Sequence, residues 1–329
     1  MQRRHFIQTG TLAAAAMATG AGWPLAAPEI KAGIIGLDTS HAPAFAKIIN
    51  LAAAGSPYAG VRITHAYPHG SRDIESSVSR IPRYTDEVKA LGVQICDSIA
   101  ELLQAVDVVF LETNDGRLHL EQAREVFAAG KKVFIDKPLA ANLKDAKAII
   151  QLAKEKQVPF FSASSLRFSP TTVAVARGEK IGSITGADVY SPATLEPTHT
   201  SLFWYGIHGV EALLTLMGPG CIQVTRFYTA GIEVVVGQWE DGRLGTFRGL
   251  RNGKTGYGGT AYGTEGITTA GGYEGYEPLA VEIVRFFKTG VPPITPADTL
   301  EVFAFMAAAE ESKRLGGQPV TLASVLAQE

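Results

Sequence analysis

Lys137 stands in Asp136-Lys137-Pro138, directly after the apolar run Val133–Asp136. Such a run reads as a buried parallel strand, and open α/β sheets bind ligands outside the carboxyl ends of their strands. A lysine placed there can be desolvated and can polarise a carbonyl or hold a developing alkoxide. His208 and Glu211 lie three residues apart in the apolar stretch Trp204–Met217. On a helix they share one face, where the imidazole can exchange a proton with a substrate hydroxyl. A satisfied core histidine is the competing reading of His208.

A third candidate follows the β-branched run EIKAGIIGL, Glu29–Leu37. A dinucleotide-binding loop uses three glycines for a tight turn, close approach to the diphosphate and helix packing. The sequence here is Gly36-Leu37-Asp38-Thr39-Ser40-His41: Gly36 fills the first position, Asp38 replaces the second glycine and His41 the third. A carboxylate beside a diphosphate at ~4 Å costs roughly 4 kcal/mol at an effective dielectric of about 20. Thr39, Ser40 and His41 still offer donors at a helix N-terminus. The second strand ends Tyr67-Pro68-His69-Gly70-Ser71-Arg72 and lacks the usual ribose-binding acid. Ser71 and Arg72 could hold a 2′-phosphate; a solvated loop is the alternative.

Glu112 closes the buried strand DVVFLE and is expected at the mouth of the sheet beside the cofactor. Carboxylates and imidazoles also ligate Zn²⁺ or Mn²⁺. No compact metal spacing exists, so no metal is expected, and Asp38, His41, Glu112 and His208 form the alternative ligand set. Glu196 and His199, in SPATLEPTH, are candidates for the substrate side, with a polar loop as the plainer reading. Arg167 joins them, and Trp204, Tyr205 and Trp239 could stack on a sugar. His119 reads as structural.

These residues need a scaffold. The 329-residue chain suffices for two cores, and its apolar fraction of 46% and charged fraction of 19% fit a folded protein. A net charge of −2 without a basic stripe argues against nucleic acid. Cys96 and Cys221 read as buried apolar residues. Strands alternate with helices up to about residue 165, which predicts an α/β fold with a doubly wound parallel sheet over 28–165. Short strand-like runs then dominate, predicting an α+β domain with a mostly antiparallel sheet over 166–329, its last helices packing back on the first domain. Arg3-Arg4, an Ala-rich stretch from Thr11 to Gly22 and Pro24-Leu25-Ala26-Ala27 follow the pattern of a twin-arginine export signal over 1–27. The expected location is therefore periplasmic, with no stable membrane association.

The order of strand and glycine loop, then HLEQAREVFAAGKKVFIDKPLA, then a histidine-bearing helix ending Met-Gly-Pro resembles the glucose-fructose oxidoreductase / inositol dehydrogenase / MocA family. The resemblance runs from about Glu29 to Gln328, and FIDKPLA is its most specific part. It implies a Rossmann domain plus an antiparallel-sheet domain, oxidation or reduction of sugars and polyols with NAD or NADP, and homo-oligomers built through the second sheet. It also implies that Lys137 is the lysine near the nicotinamide and that His208 is the general acid/base. The family's frequent Asp four residues before that histidine is replaced by Trp204. The phosphate loop, the ribose acid and this position all depart from the pattern. Two further readings stay open: a non-redox, metal-assisted lyase, epimerase or hydrolase for a modified sugar, and a non-catalytic sugar-binding protein.

Overall fold

A computed structural model describes residues 29–328; the twin-arginine segment lies outside the described residues. The first domain runs β1 (Ile30–Ile35), α1 (His41–Asn50), β2 (Val61–Tyr67), α2 (Glu75–Val78), α3 (Ile81–Lys89), β3 (Gln94–Ile95), α4 (Ile99–Ala105), β4 (Val108–Leu111), α5 (His119–Ala128), β5 (Lys132–Asp136), α6 (Leu143–Lys156) and β6 (Phe160–Ala163). The strands form one parallel sheet in the order β3-β2-β1-β4-β5-β6. Strands β1, β4, β5 and β6 are buried on both faces over most of their length, which is why they read as nearly continuous apolar runs.

The second domain runs α7 (Pro170–Ala176), β7 (Ile184–Pro192), α8 (Ile207–Met217), β8 (Cys221–Tyr228), β9 (Ile232–Trp239), β10 (Leu244–Leu250), β11 (Gly258–Gly263), β12 (Ile267–Thr269), α9 (Glu277–Thr289), α10 (Pro296–Arg314), β13 (Val320–Thr321) and α11 (Leu322–Leu326). Its sheet has the order β12-β11-β7-β10-β9-β8-β13. Only β7–β10 is parallel; the other pairings are antiparallel. Helices α8 and α10 cover one face. Gly242, with φ 87°, turns β9 into β10 at the expected Glu240-Asp241-Gly242 position.

Alternation along the strands of the parallel sheet divides its core. Val109, Leu111, Val133 and Ile135 pack with α4, α5 and α6, whereas Val108, Phe110 and Phe134 pack with α1 on the opposite face. That second face is completed from far along the chain by α9. Phe287 meets Phe110 edge-on at 5.1 Å, and Phe286 meets Phe161 at 5.2 Å. Such aromatic pairs add to the area they bury. Among the described residues no helix is long and apolar enough to cross a membrane.

One boundary differs from the sequence reading. Helix α8 begins at Ile207, and Trp204 lies in the bend after a short 3₁₀ turn, Ser201–Phe203. Gly206 is its N-cap and no side chain caps the helix. Trp204 therefore shares no helical face with His208.

Candidate active site

The carboxyl ends of β1, β4 and β5 meet the start of α8 across a cleft of about 620 Å³. Thr39, Ser40 and His41 at the start of α1 line it, together with Lys137, His208, Trp204 and Tyr205. Lys137 comes from the end of β5 and His208 from α8, so the two domains each supply one of the residues singled out for chemistry. Lys137 is 5% exposed and His208 7%.

His208 Nδ1 lies 2.8 Å from Ser164 Oγ, which also accepts the Leu166 N–H. In the tautomer that donates Nδ1–H to Ser164, the Nε2 lone pair is left as the ring's acceptor, the form a general base requires. Burial, then the charges of Lys137 and His41, hold the imidazole well below its ordinary range, so it is neutral near pH 7. Tyr205, Tyr257, Tyr273 and Tyr276 line a smaller recess of about 160 Å³ beside His208. The Tyr257 and Tyr205 hydroxyls bond at 3.1 Å. These rings, inclined to one another by 40° between Tyr257 and Tyr273 and 70° between Tyr273 and Tyr276, line the recess with apolar faces and polar tips.

Asp38 does not project into the phosphate site. It is fully buried; Oδ2 accepts the Ser71 N–H at 2.7 Å and the Ser71 hydroxyl at 2.5 Å, and Oδ1 accepts the Asn114 N–H at 3.0 Å. Three donors absorb its charge, so the expected repulsion of a diphosphate is offset. The same bonds tie the loop after β2 to the loop after β4 and fill the crevice between them. Gly36, with φ 90°, is needed because a Cβ there would lie 2.6 Å from the Thr113 backbone. Gly70 sits flush on Asp38: a Cβ there would lie 2.5 Å from its carboxyl group. Gly70→Ala is accordingly expected to destabilise the fold by about 1–3 kcal/mol. The measure is a lower urea midpoint at unchanged slope; an unmoved midpoint would mean the β2 loop is not seated on Asp38.

Several roles expected from the sequence do not survive these positions. Ser71 is occupied by Asp38, and Arg72 is exposed with its guanidinium 3.2 Å from Glu121, so neither is arranged for a 2′-phosphate. Glu211 does not reach the cleft: it accepts the Ser164 N–H at 2.7 Å and pairs with Arg167 at 2.9 Å, bracing the loop that carries Ser164. Arg167 opens instead onto a groove beside Pro278 and Arg285. Glu196 accepts from Thr198 in its own loop. The His199 side chain is buried, packed at a tilt against Trp204 with ring centroids 4.9 Å apart, and 3.4 Å from Asp115. Asp115 also holds Arg117, and its carboxyl lies well below the ordinary range because the bonds from His199 and Arg117 outweigh burial. His199 thus clasps the two domains together. Trp239 is 1% exposed with its indole N–H on Gly218 O at 2.8 Å, a core residue and not a stacking platform.

The alternative metal set is also broken up. Asp38 belongs to Ser71 and Asn114, while His41 and Glu112 meet Asp136. Asp136 is fully buried, 2.8 Å from His41 Nδ1 and 3.9 Å from Lys137 Nζ. Burial alone would raise its carboxyl, but His41 and then Lys137 outweigh burial and hold it low. Glu112 is fully buried beneath the cleft, and burial, then the Asp136 charge, push its carboxyl well above the ordinary range. Two residues that no motif singles out, Arg80 and Arg83, bring positive charge to the cleft opposite Thr39 and Ser40. Their only signal in the sequence is a basic pair in a polar segment.

Comparison with known proteins agrees with the geometry. Residues 30–164 match the Gfo/Idh/MocA family, described as an oxidoreductase family with an NAD-binding Rossmann fold. YceM of Salmonella typhimurium, named as an oxidoreductase, is 36% identical over 74 residues, which are 22% of this chain and 24% of that protein. The match thus spans about a quarter of that relative's length. GenD2 of gentamicin A biosynthesis, solved with NAD, is similar with a TM-score of 0.73 at 19% identity, over 90% of this chain and 97% of that one. Scyllo-inositol dehydrogenase of Lactobacillus casei, solved with NAD(H) and scyllo-inositol, gives a TM-score of 0.71 at 19% identity, over 90% and 99%. At these identities the structures establish the fold. Together with the FIDKPLA segment, the family match identifies residues 30–164 as a member of the glucose-fructose oxidoreductase / inositol dehydrogenase / MocA oxidoreductase family.

Proposed function

We propose that this protein is an oxidoreductase that moves a hydride between a nicotinamide dinucleotide and a carbon of a sugar, polyol or keto-sugar. One observation carries the reading: Lys137 and His208, from different domains, face one cleft with the N-terminus of α1. The family description and the NAD-bound structural neighbours support it. When bound, the nicotinamide accepts or supplies the hydride.

The residues present fit the nicotinamide and diphosphate half of such a cofactor. The Ser40 side chain does not cap α1; with the His41 N–H on Thr39 Oγ1 and Pro43 lacking an N–H, the Ala42 N–H and the Thr39 and Ser40 hydroxyls are the donors this turn offers. Arg80 and Arg83 would balance the diphosphate charge. The adenosine end must lie outside the crevice that Asp38, Ser71 and Asn114 close. His208 takes the proton from the substrate hydroxyl, and Lys137 stabilises the alkoxide as it forms. The tyrosine wall orients the sugar ring and keeps water from it.

Export to the periplasm rests on the Arg3-Arg4 segment alone. A homo-oligomer is supported by the exposed Tyr190, Phe227 and Leu244 on the second sheet. A second reading, a metal-assisted lyase, epimerase or hydrolase on the same fold, is favoured by the meeting of His41, Glu112 and Asp136.

The deciding test denatures the folded, purified protein and assays the supernatant for nicotinamide nucleotide, followed by titration of the folded protein with NAD(H) and NADP(H). Release of stoichiometric nucleotide, or saturable quenching of tryptophan fluorescence on titration, is the expected result. With Arg72 paired to Glu121, NAD(H) should bind at least as tightly as NADP(H). No release and no saturable binding of either would sink the hydride-transfer reading.

A further inference from the structure

His41 begins α1, Glu112 follows β4 and Asp136 ends β5, so three neighbouring elements direct a nitrogen and two carboxylates to one point under the cleft. Their ligand atoms all lie within 4.8 Å of one another, and all three residues are buried. We propose that these residues form a binding site for one divalent cation of the Zn²⁺ or Mn²⁺ class. The site goes beyond the hydride-transfer reading and does not depend on it.

The independent observation is Glu112. Both its carboxylate oxygens are buried, and neither has a hydrogen-bond partner among the described residues. Buried carboxylates are ordinarily bonded, because an unpartnered one bears its full desolvation cost. Asp38, in the same region, accepts three bonds, so the lack of donors at Glu112 is not a general looseness of packing. The two Asp136 oxygens and His41 Nδ1 are likewise outside hydrogen-bond alignment, although His41 and Asp136 touch at 2.8 Å. Five buried polar atoms on these three residues therefore lack an aligned donor, and one ligand atom from each residue lies within 4.8 Å of the other two.

Ligand atoms around one ion with bonds of about 2.1 Å stand roughly 3.0–4.2 Å apart, so the observed cluster needs only a small contraction. One imidazole and two carboxylates suit Zn²⁺ or Mn²⁺, and a charge of +2 balances the two acids. Three protein ligands leave coordination positions open, and His41 lines the cleft that Lys137 and His208 share.

The test uses untagged, chelator-stripped protein titrated with Zn²⁺, Mn²⁺ and Co²⁺, read by elemental analysis after desalting and by Co²⁺ visible absorption. One ion per chain is expected. Glu112→Gln and Asp136→Asn should each weaken binding about 100-fold, since each removes a charged ligand. His208→Asn, in the same cleft but outside the ligand set, should leave metal affinity within the error of the wild type. If a variant fails to fold by circular dichroism, the wild-type Co²⁺ spectrum decides. Bands displaced from those of the aqua ion, with one Co²⁺ retained per chain, support the site, and a spectrum unchanged from that of the aqua ion overturns it. The proposal also falls if the wild type retains no ion, or if binding is indifferent to Glu112→Gln and Asp136→Asn.

Discussion

Lys137→Met is expected to lower kcat by about 10²–10³-fold, the usual loss when one preorganised donor to a developing oxyanion is removed. KM should change far less, because the interaction strengthens as the alkoxide forms. Lys137 is 5% exposed, so its charge acts in a largely water-free site where it is worth more than in bulk. Methionine keeps most of the length and the apolar stem and loses the ammonium with its charge and donors. Asp136 retains His41 at 2.8 Å when the lysine is gone, so the protein should fold. Lys137→Arg should not restore the rate, since a planar guanidinium cannot take the place of a compact ammonium in so enclosed a corner. Steady-state kinetics on a sugar and keto-sugar panel, with thermal denaturation as the folding control, provide the measurement. A kcat within about threefold of wild type, well short of the loss of an oxyanion donor, would remove Lys137 from the chemistry.

How much of the fold and site is legible in the sequence depends on distance along the chain. The parallel sheet is legible because alternating helices and doubly buried strands leave a local pattern; Val133-Phe134-Ile135 reads as a strand before any partner is known. The pairing of Lys137 with His208 is legible through the family resemblance, since nothing local connects residues 71 positions apart. The direction of Asp38 is not legible. Its rotamer is set by Ser71 and Asn114, 33 and 76 residues away, and the same loop sequence would permit either orientation. Arg167 and Glu211 are attractive as substrate contacts because both are charged in apolar surroundings. They satisfy each other across 44 residues, which spacing cannot show. The tyrosine wall is hidden for another reason. Tyr257 and Tyr273 lie in a Gly-rich stretch without periodicity, and only the path around β11 and β12 brings them to Tyr276 and His208.

His208 carries the second large effect, and its environment gives the prediction a sign. His208→Asn should lower kcat by about 10²–10⁴-fold, the range for loss of a positioned general base. Burial, reinforced by Lys137 and His41, keeps the wild-type imidazole well below its ordinary value of 6.5. The base is therefore already neutral on the acid side of neutrality. In the oxidative direction kcat/KM should stay flat as pH falls from about 8 through 6.5 and decline only below the ordinary histidine range. Stability follows from the same shift. The unfolded chain binds a proton at His208 as pH falls through 6.5 while the folded chain does not, so this residue makes the fold less stable toward acid. One proton corresponds to a slope of about 1.4 kcal/mol per pH unit. His208→Asn removes that contribution, and its urea midpoint should fall less between about pH 7 and pH 5 than the wild-type midpoint does. Ser164→Ala, which frees Nδ1, should lower kcat by less than His208→Asn at unchanged KM, because Ser164 positions the ring without touching substrate. An acid limb near the ordinary histidine value, together with equal pH slopes for wild type and His208→Asn, would show that the imidazole is solvated. A solvated ring would not be held for proton transfer in this cleft.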